Sequence, residues 1–326
     1  MSGPRLGVMT FSLCGDLWRR RMTVDESLAA VASLGGSQEL ELIGSLALQG
    51  FPSPDDDEVR RLRVTIERLG LVPSVYCADL DRGRSRSRTL SQREALELVE
   101  AQEAPLARAL GFPALRVNAA APDLVPELDR LAQRTGLTVL VEHGAEPRTD
   151  PGTADLVDAF ARLGSERVGL IVDGSSFVRR LPEPWKAAAL AGGVPVEALD
   201  LVIASWDPEQ PLPYVMGALH GLGLDPLELD LSVYALMTTR FLFRKGDVQG
   251  LHDLLPFTHH VQTKFFATDA DGVDACVPYD EIVPLLRDAG YAGGLHAEYE
   301  GGIWSAELDT VAEIRRHQGY LARLWA

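Results

Sequence analysis

The sequence predicts an α/β protein, a (β/α)8 or TIM barrel, with a long helical insertion between strands six and seven. Three observations carry this. Short apolar runs alternate with helical stretches eight times along the 326 residues, the pattern of parallel strands joined by crossover helices. Three of the runs finish on acids, at Glu142, Asp173 and Glu298, and the C-terminal strand ends are where such barrels place their chemistry. The interval 175–256, between the sixth and seventh runs, is far too long for a simple loop.

Taken in order, residues 6–13 read as the first strand. Thr23, with Glu26 three residues on, caps a helix that runs to Leu34. The second strand is 38–43, with Glu39 and Glu41 on one face. A helix over 54–69 leads to the third strand, 72–77. The basic run 82–88 reads as a solvated loop, and Ser91 opens a helix to Leu110. Strand four is 114–118, followed by a helix over 123–135. Strand five ends at Glu142 and His143, and a helix to Leu163 leads to strand six, which ends at Asp173.

The insertion, 178–256, contains helical stretches near 196–205 and 229–243. We read it as a wall or lid on the catalytic face of one barrel domain spanning 1–326. Strand seven is 259–266, with a helix over 279–290 after it. Strand eight ends at Glu298, and an amphipathic helix over 305–324 closes the chain.

Composition bounds the function. A hydrophobic fraction of 46% and a charged fraction of 24% are those of a soluble enzyme. The net charge of −16 argues against a nucleic-acid partner and suits cation binding. Cys14, Cys77 and Cys276 are far apart, which fits small core fillers in a reducing compartment. No leader-like segment and no membrane-length apolar run stand out, so a cytoplasmic protein is expected.

Side chains two apart on a strand share a face. On strand seven this groups His260, Gln262 and Lys264; on strand eight it groups His296, Glu298 and Glu300. An unpaired acid inside a barrel is disfavoured, and a cation removes that cost. Glu142, Asp173, Gln262 and Glu298 are therefore the candidate metal ligands. Three carboxylates and an amide oxygen suit Mn²⁺ first, with Mg²⁺ or Co²⁺ as alternatives, better than Zn²⁺. Gln262 also reads as a buried amide satisfied by its neighbours. Lys264 also reads as a partner for a carboxylate, and Glu300 as either a supporting acid or a surface residue. His143, Lys264 and His296 are the candidate acid–base groups. Adjacency to Glu142 does not decide whether His143 points into the site.

At these residues the chain resembles the xylose-isomerase-like superfamily of sugar isomerases and epimerases, whose ligands are Glu, Asp, His or Gln, and Glu on strands five to eight. Ser176 stands where many members have His, and so does Gln262; Gln also occurs in the hydroxypyruvate-isomerase branch. The segments Lys264-Phe-Phe, Glu298-Tyr-Glu-Gly301 and Ile314-Arg-Arg-His-Gln318, with the insertion, resemble the large subunit of bacterial C-glycoside deglycosidases. That resemblance implies a metal-dependent enzyme working with a small β-type subunit. The implied substrate is a 3-oxo-C-glucoside whose aromatic aglycone leaves by elimination. A keto-sugar isomerase or epimerase acting through a metal-bound enediolate is the alternative.

Overall fold

The structure is a computed structural model, and it describes residues 3–118, 120–144, 151–206, 210, 212–223 and 247–326. Eight parallel strands close into a barrel in sequence order. They are β1 (Arg5–Met9), β2 (Glu39–Ile43), β3 (Val72–Ala78), β4 (Ala114–Asn118), β5 (Thr138–His143), β6 (Val168–Asp173), β7 (Thr258–Phe265) and β8 (Gly294–Tyr299). β1 pairs with β8 through Arg5–Gly294 to Val8–Ala297, which closes the ring.

Around the barrel lie α1 (Val24–Ala32), α2 (Asp56–Arg68), α3 (Gln92–Leu98), α4 (Val125–Thr135) and α5 (Pro151–Leu163). α3 continues through a π turn, Val99–Glu103, into Ala104–Leu110. Thr23 and Glu26 form the capping box read from the sequence. Between β6 and β7 come α6 (Glu183–Ala191), α7 (Val196–Trp206) and α8 (Leu212–Gly221). The helix expected near 229–243 lies outside the described residues. α9 (Tyr279–Asp288) and α10 (Thr310–Trp325) complete the layer. Among the described residues, no helix is long and apolar enough to cross a membrane.

Two apolar clusters follow from strand alternation. Side chains such as Leu40, Leu42, Val139, Val141, Val172 and Ala297 pack outward against the helices. Met9, Ile43, Val75, Cys77, Ala114, Leu140 and Ile171 fill the barrel interior. The rest of that interior is polar, built by β2, β7 and β8 together with Arg116 of β4, Glu142 of β5 and Asp173 of β6.

The first strand ends at Met9, four residues earlier than the sequence suggests, and Thr10–Leu13 forms a 3-10 turn. Side chains explain the exchange. Ser12 Oγ donates to the Ala297 carbonyl (3.0 Å) and accepts from Tyr299 N–H (2.8 Å). A hydroxyl thus replaces two ladder bonds at the end of β8. The Ile314–Gln318 segment is packing rather than chemistry. Gln318 donates to the Gly7 carbonyl (3.0 Å) and to Gln38 Oε1 (2.9 Å), and His317 stacks on Phe265 at 4.0 Å.

Candidate metal centre and catalytic site

The barrel register delivers acids to the C-terminal mouth. β5 turns Leu140 into the barrel, so Glu142, two residues on, faces inward too. His143 then falls on the face of Val139 and Val141, toward the helices, and is buried there. β6 turns Ile171 and hence Asp173 inward. Lys264 lies opposite Glu298 in the β7–β8 register.

Lys264 gathers the acids. Its Nζ lies 2.9 Å from Asp173 Oδ2, 2.9 Å from Glu300 Oε1 and 3.4 Å from Glu298 Oε1. Glu300 therefore faces the site, which the sequence left open. Burial opposes the charge on Lys264, but Asp173, Glu298 and Glu300 outweigh it and hold the ammonium well above its usual range. Asp173 is fixed further by Ser175, through its N–H (2.9 Å) and its hydroxyl (2.7 Å). Glu142 is paired with the buried Arg116 of β4 and interacts electrostatically with Asp173 and Lys264. Ser176, the residue that departs from the His pattern, donates to the Gly144 carbonyl.

Four carboxylates, from Glu142, Asp173, Glu298 and Glu300, thus face two cations, Arg116 and Lys264. The excess negative charge shows at Glu298. Burial and the neighbouring acids push its carboxyl well above the usual range, against the pull of Lys264. Its Oε2 is buried without a hydrogen-bond partner, and so is Oε1 of Gln262. Both are hard oxygens of the kind a divalent cation takes; among the described residues, however, the acids and histidines whose ligand atoms lie within 4.8 Å of one another are Glu41, His260 and His296, not the acids of the mouth.

A second layer lies deeper. Gln262 donates from Nε2 to Glu41 Oε1 (2.6 Å) and makes a longer contact with Met9 Sδ (3.5 Å). Glu41 Oε2 is 2.9 Å from His260 Nε2 and 3.5 Å from His296 Nδ1. His296 Nε2 is 2.9 Å from Glu39 Oε2. Cys77 Sγ donates to Glu41 Oε1 at 3.1 Å. His296 therefore sits two residues below Glu298, tied to the β2 acids and away from Lys264. Glu41, His260 and His296 each offer a ligand atom, all within 4.8 Å of one another, so this cluster is itself able to hold a metal ion. The sequence did not offer Glu41 and His260 as ligands. The usable signal was period two: Glu41 shares a face with Glu39, and His260 with Gln262.

No family model matches the chain. It is 28% identical to a 3′-dehydrocarminate deglycosidase α subunit of a Microbacterium species, over 99% of this chain and 95% of that protein. It is 29% identical to a C-glycoside deglycosidase α subunit of Arthrobacter globiformis, over 97% of this chain and 89% of that protein. Among solved structures it superposes on a D-psicose 3-epimerase with a TM-score of 0.56 at 12% identity, covering 98% of this chain and 99% of the epimerase. It also superposes on the zinc-bound IOLI protein with a TM-score of 0.57 at 10% identity, covering 98% of each chain. A xylose isomerase-like TIM barrel fused to a 4-hydroxyphenylpyruvate dioxygenase gives a TM-score of 0.54 at 15% identity, over 98% of this chain and 42% of the fusion. The chain folds as a TIM barrel and is similar along nearly its whole length to the α subunits of C-glycoside deglycosidases.

Proposed function

We propose that this protein is the α-type subunit of a metal-dependent C-glycoside deglycosidase, a lyase-type enzyme that releases an aromatic aglycone from a 3-oxo-C-glucoside. The observation that carries this is the near full-length similarity to deglycosidase α subunits in a barrel whose mouth holds a carboxylate–lysine ring. Glu142, Asp173, Gln262 and Glu298 are the proposed ligands, for Mn²⁺ in the first instance. When bound, the ion supplies Lewis acidity to the C3 carbonyl of the sugar.

A C–C glycosidic bond has no leaving oxygen, so hydrolysis by paired carboxylates does not apply. The C3 carbonyl instead makes the C2 proton acidic. Of the three proposed proton carriers, His143, Lys264 and His296, we take Lys264, whose nitrogen lies 2.9 Å from both Asp173 and Glu300. In this reading Glu300, paired with Lys264 at 2.9 Å, accepts the C2 proton. Lys264 gives a proton to the departing aromatic carbon, which takes the electron pair of the C1–C bond. The proton on Glu300 then passes to Lys264 and restores both groups. No water is consumed, and the products are the aglycone and an unsaturated keto-sugar.

The name α subunit, borne by the relatives, supports a second, small β-type subunit as partner. The test is incubation with a 3-oxo-C-glucoside and Mn²⁺, with and without that subunit. Aglycone release is expected, and it should disappear in Glu142→Gln and Glu298→Gln together with bound metal. Deuterium entry at the carbon beside the carbonyl, with no aglycone released from any C-glucoside, would instead favour the isomerase or epimerase chemistry.

A further inference from the structure

Gln262 can meet a metal ion only with its oxygen, and an unrestrained amide presents either end. In the structure the choice is made from across the barrel. Nε2 donates to Glu41 Oε1 at 2.6 Å and contacts Met9 Sδ at 3.5 Å, while Oε1 is buried with no hydrogen-bond partner. A flipped amide would set its oxygen against a carboxylate oxygen, two acceptors with no proton between them. Glu41 is itself fixed, fully buried, by His260 Nε2 at 2.9 Å and Cys77 Sγ at 3.1 Å. We infer that Glu41 is a positioning residue: it binds the NH₂ of Gln262 and thereby keeps the carbonyl oxygen free for the metal. The inference rests on the reading of Gln262 as a ligand.

The same geometry accounts for an acid so deep in the barrel. Glu41 makes no hydrogen bond to the acids of the mouth and touches Glu142 only through charge; its direct contact toward the site is Gln262. A residue that orients a ligand in this way is usually worth about 10- to 100-fold in metal affinity.

The test is Mn²⁺ affinity by calorimetry on the full chain, with far-UV circular dichroism to confirm folding. Glu41→Gln should weaken binding by roughly tenfold or more, because an amide opposite an amide no longer selects one orientation. The exchange E41Q/Q262E restores a donor facing an acceptor and again leaves an oxygen toward the ion. It should recover affinity to within a few-fold, which a loss of packing alone would not do. If E41Q does not fold, Glu41→Asp gives the same readout with a smaller loss. Native affinity in E41Q, or no recovery in the exchange, overturns the inference. Gln262→Ala separates it from the reading beneath it. Native Mn²⁺ affinity in that variant removes Gln262 from the ligand set, and loss of binding in His260→Ala and His296→Ala alongside it would assign the ion to the deeper cluster.

Discussion

The ammonium of Lys264 lies 2.9 Å from Oδ2 of Asp173, and the same nitrogen is 2.9 Å from Glu300 and 3.4 Å from Glu298. One side chain therefore does part of the electrostatic work a cation would do among Asp173, Glu298 and Glu300. Its charge also repels an incoming cation. Lys264→Met should raise Mn²⁺ affinity by about tenfold, since the methionine keeps the stem and removes the competitor. Aglycone release should fall by roughly a hundredfold or more if Lys264 carries the proton. Calorimetry and turnover on one preparation read both; weaker metal binding in the variant would count against this account of the lysine.

Gly301 ends the Glu298–Gly301 segment, and its need for glycine is steric. A Cβ there would overlap the carbonyl oxygen of Phe266 and press on the Tyr299 ring. The Phe266 carbonyl is backbone at the end of the strand that carries Lys264, so it cannot swing aside. Gly301→Ala should cost about 2 kcal/mol or more in stability and should displace Glu300 from Lys264. Thermal denaturation checks the first effect and turnover the second. An alanine variant with native melting behaviour would show that the two strand ends have slack.

Asp274 shapes the loop after β7. Its carboxylate accepts from the backbone N–H groups of Phe266 (2.8 Å), Ala267 (3.1 Å), Cys276 (2.6 Å) and Val277 (3.2 Å). Asp274→Asn replaces an acceptor oxygen by a donor, leaving buried amides facing an NH₂. A loss of roughly 2–3 kcal/mol is expected, measured by urea denaturation. Mn²⁺ affinity should change far less than in the ligand variants.

The barrel was legible because its strands are near-continuous apolar runs with acids at matching ends. Alternation alone put His260, Gln262 and Lys264 on one face, and the contacts of Gln262 with Glu41 and of His260 with Glu41 confirm that this face is the interior. What remained hidden needed the third dimension. Glu39 and Glu41 share a face in any strand, but only ring closure brings β2 across from β7 and β8, where their partners stand. The early end of β1 depended on a hydroxyl, Ser12, substituting for backbone partners 285 and 287 residues away. Glu300 lies one residue beyond β8; alternation groups it with Glu298, but past the strand end that spacing alone does not decide between the site and the surface, and its contact with Lys264 does.

His317 provides a stability test away from the metal centre. It is fully buried, stacked on Phe265 at 4.0 Å and edge-on to Tyr279 at 5.0 Å. Burial pushes its imidazole down to about 3. In the unfolded chain a histidine titrates near about 6.5. The unfolded state therefore binds a proton that the native state refuses between these values, and stability falls as pH drops below about 6.5. The contribution reaches at most about 1.4 kcal/mol per pH unit for one group. Carboxylates titrate over part of the same range, so the informative quantity is the difference between native protein and His317→Phe, which keeps a ring against Phe265 and has no proton to gain. The urea-unfolding free energy of the native protein minus that of the variant should fall as the pH drops from about 7 to about 4.5, because the native protein loses about one proton's worth of stability that the variant does not. Parallel curves would mean that His317 is protonated within the fold and that its surroundings accept the charge.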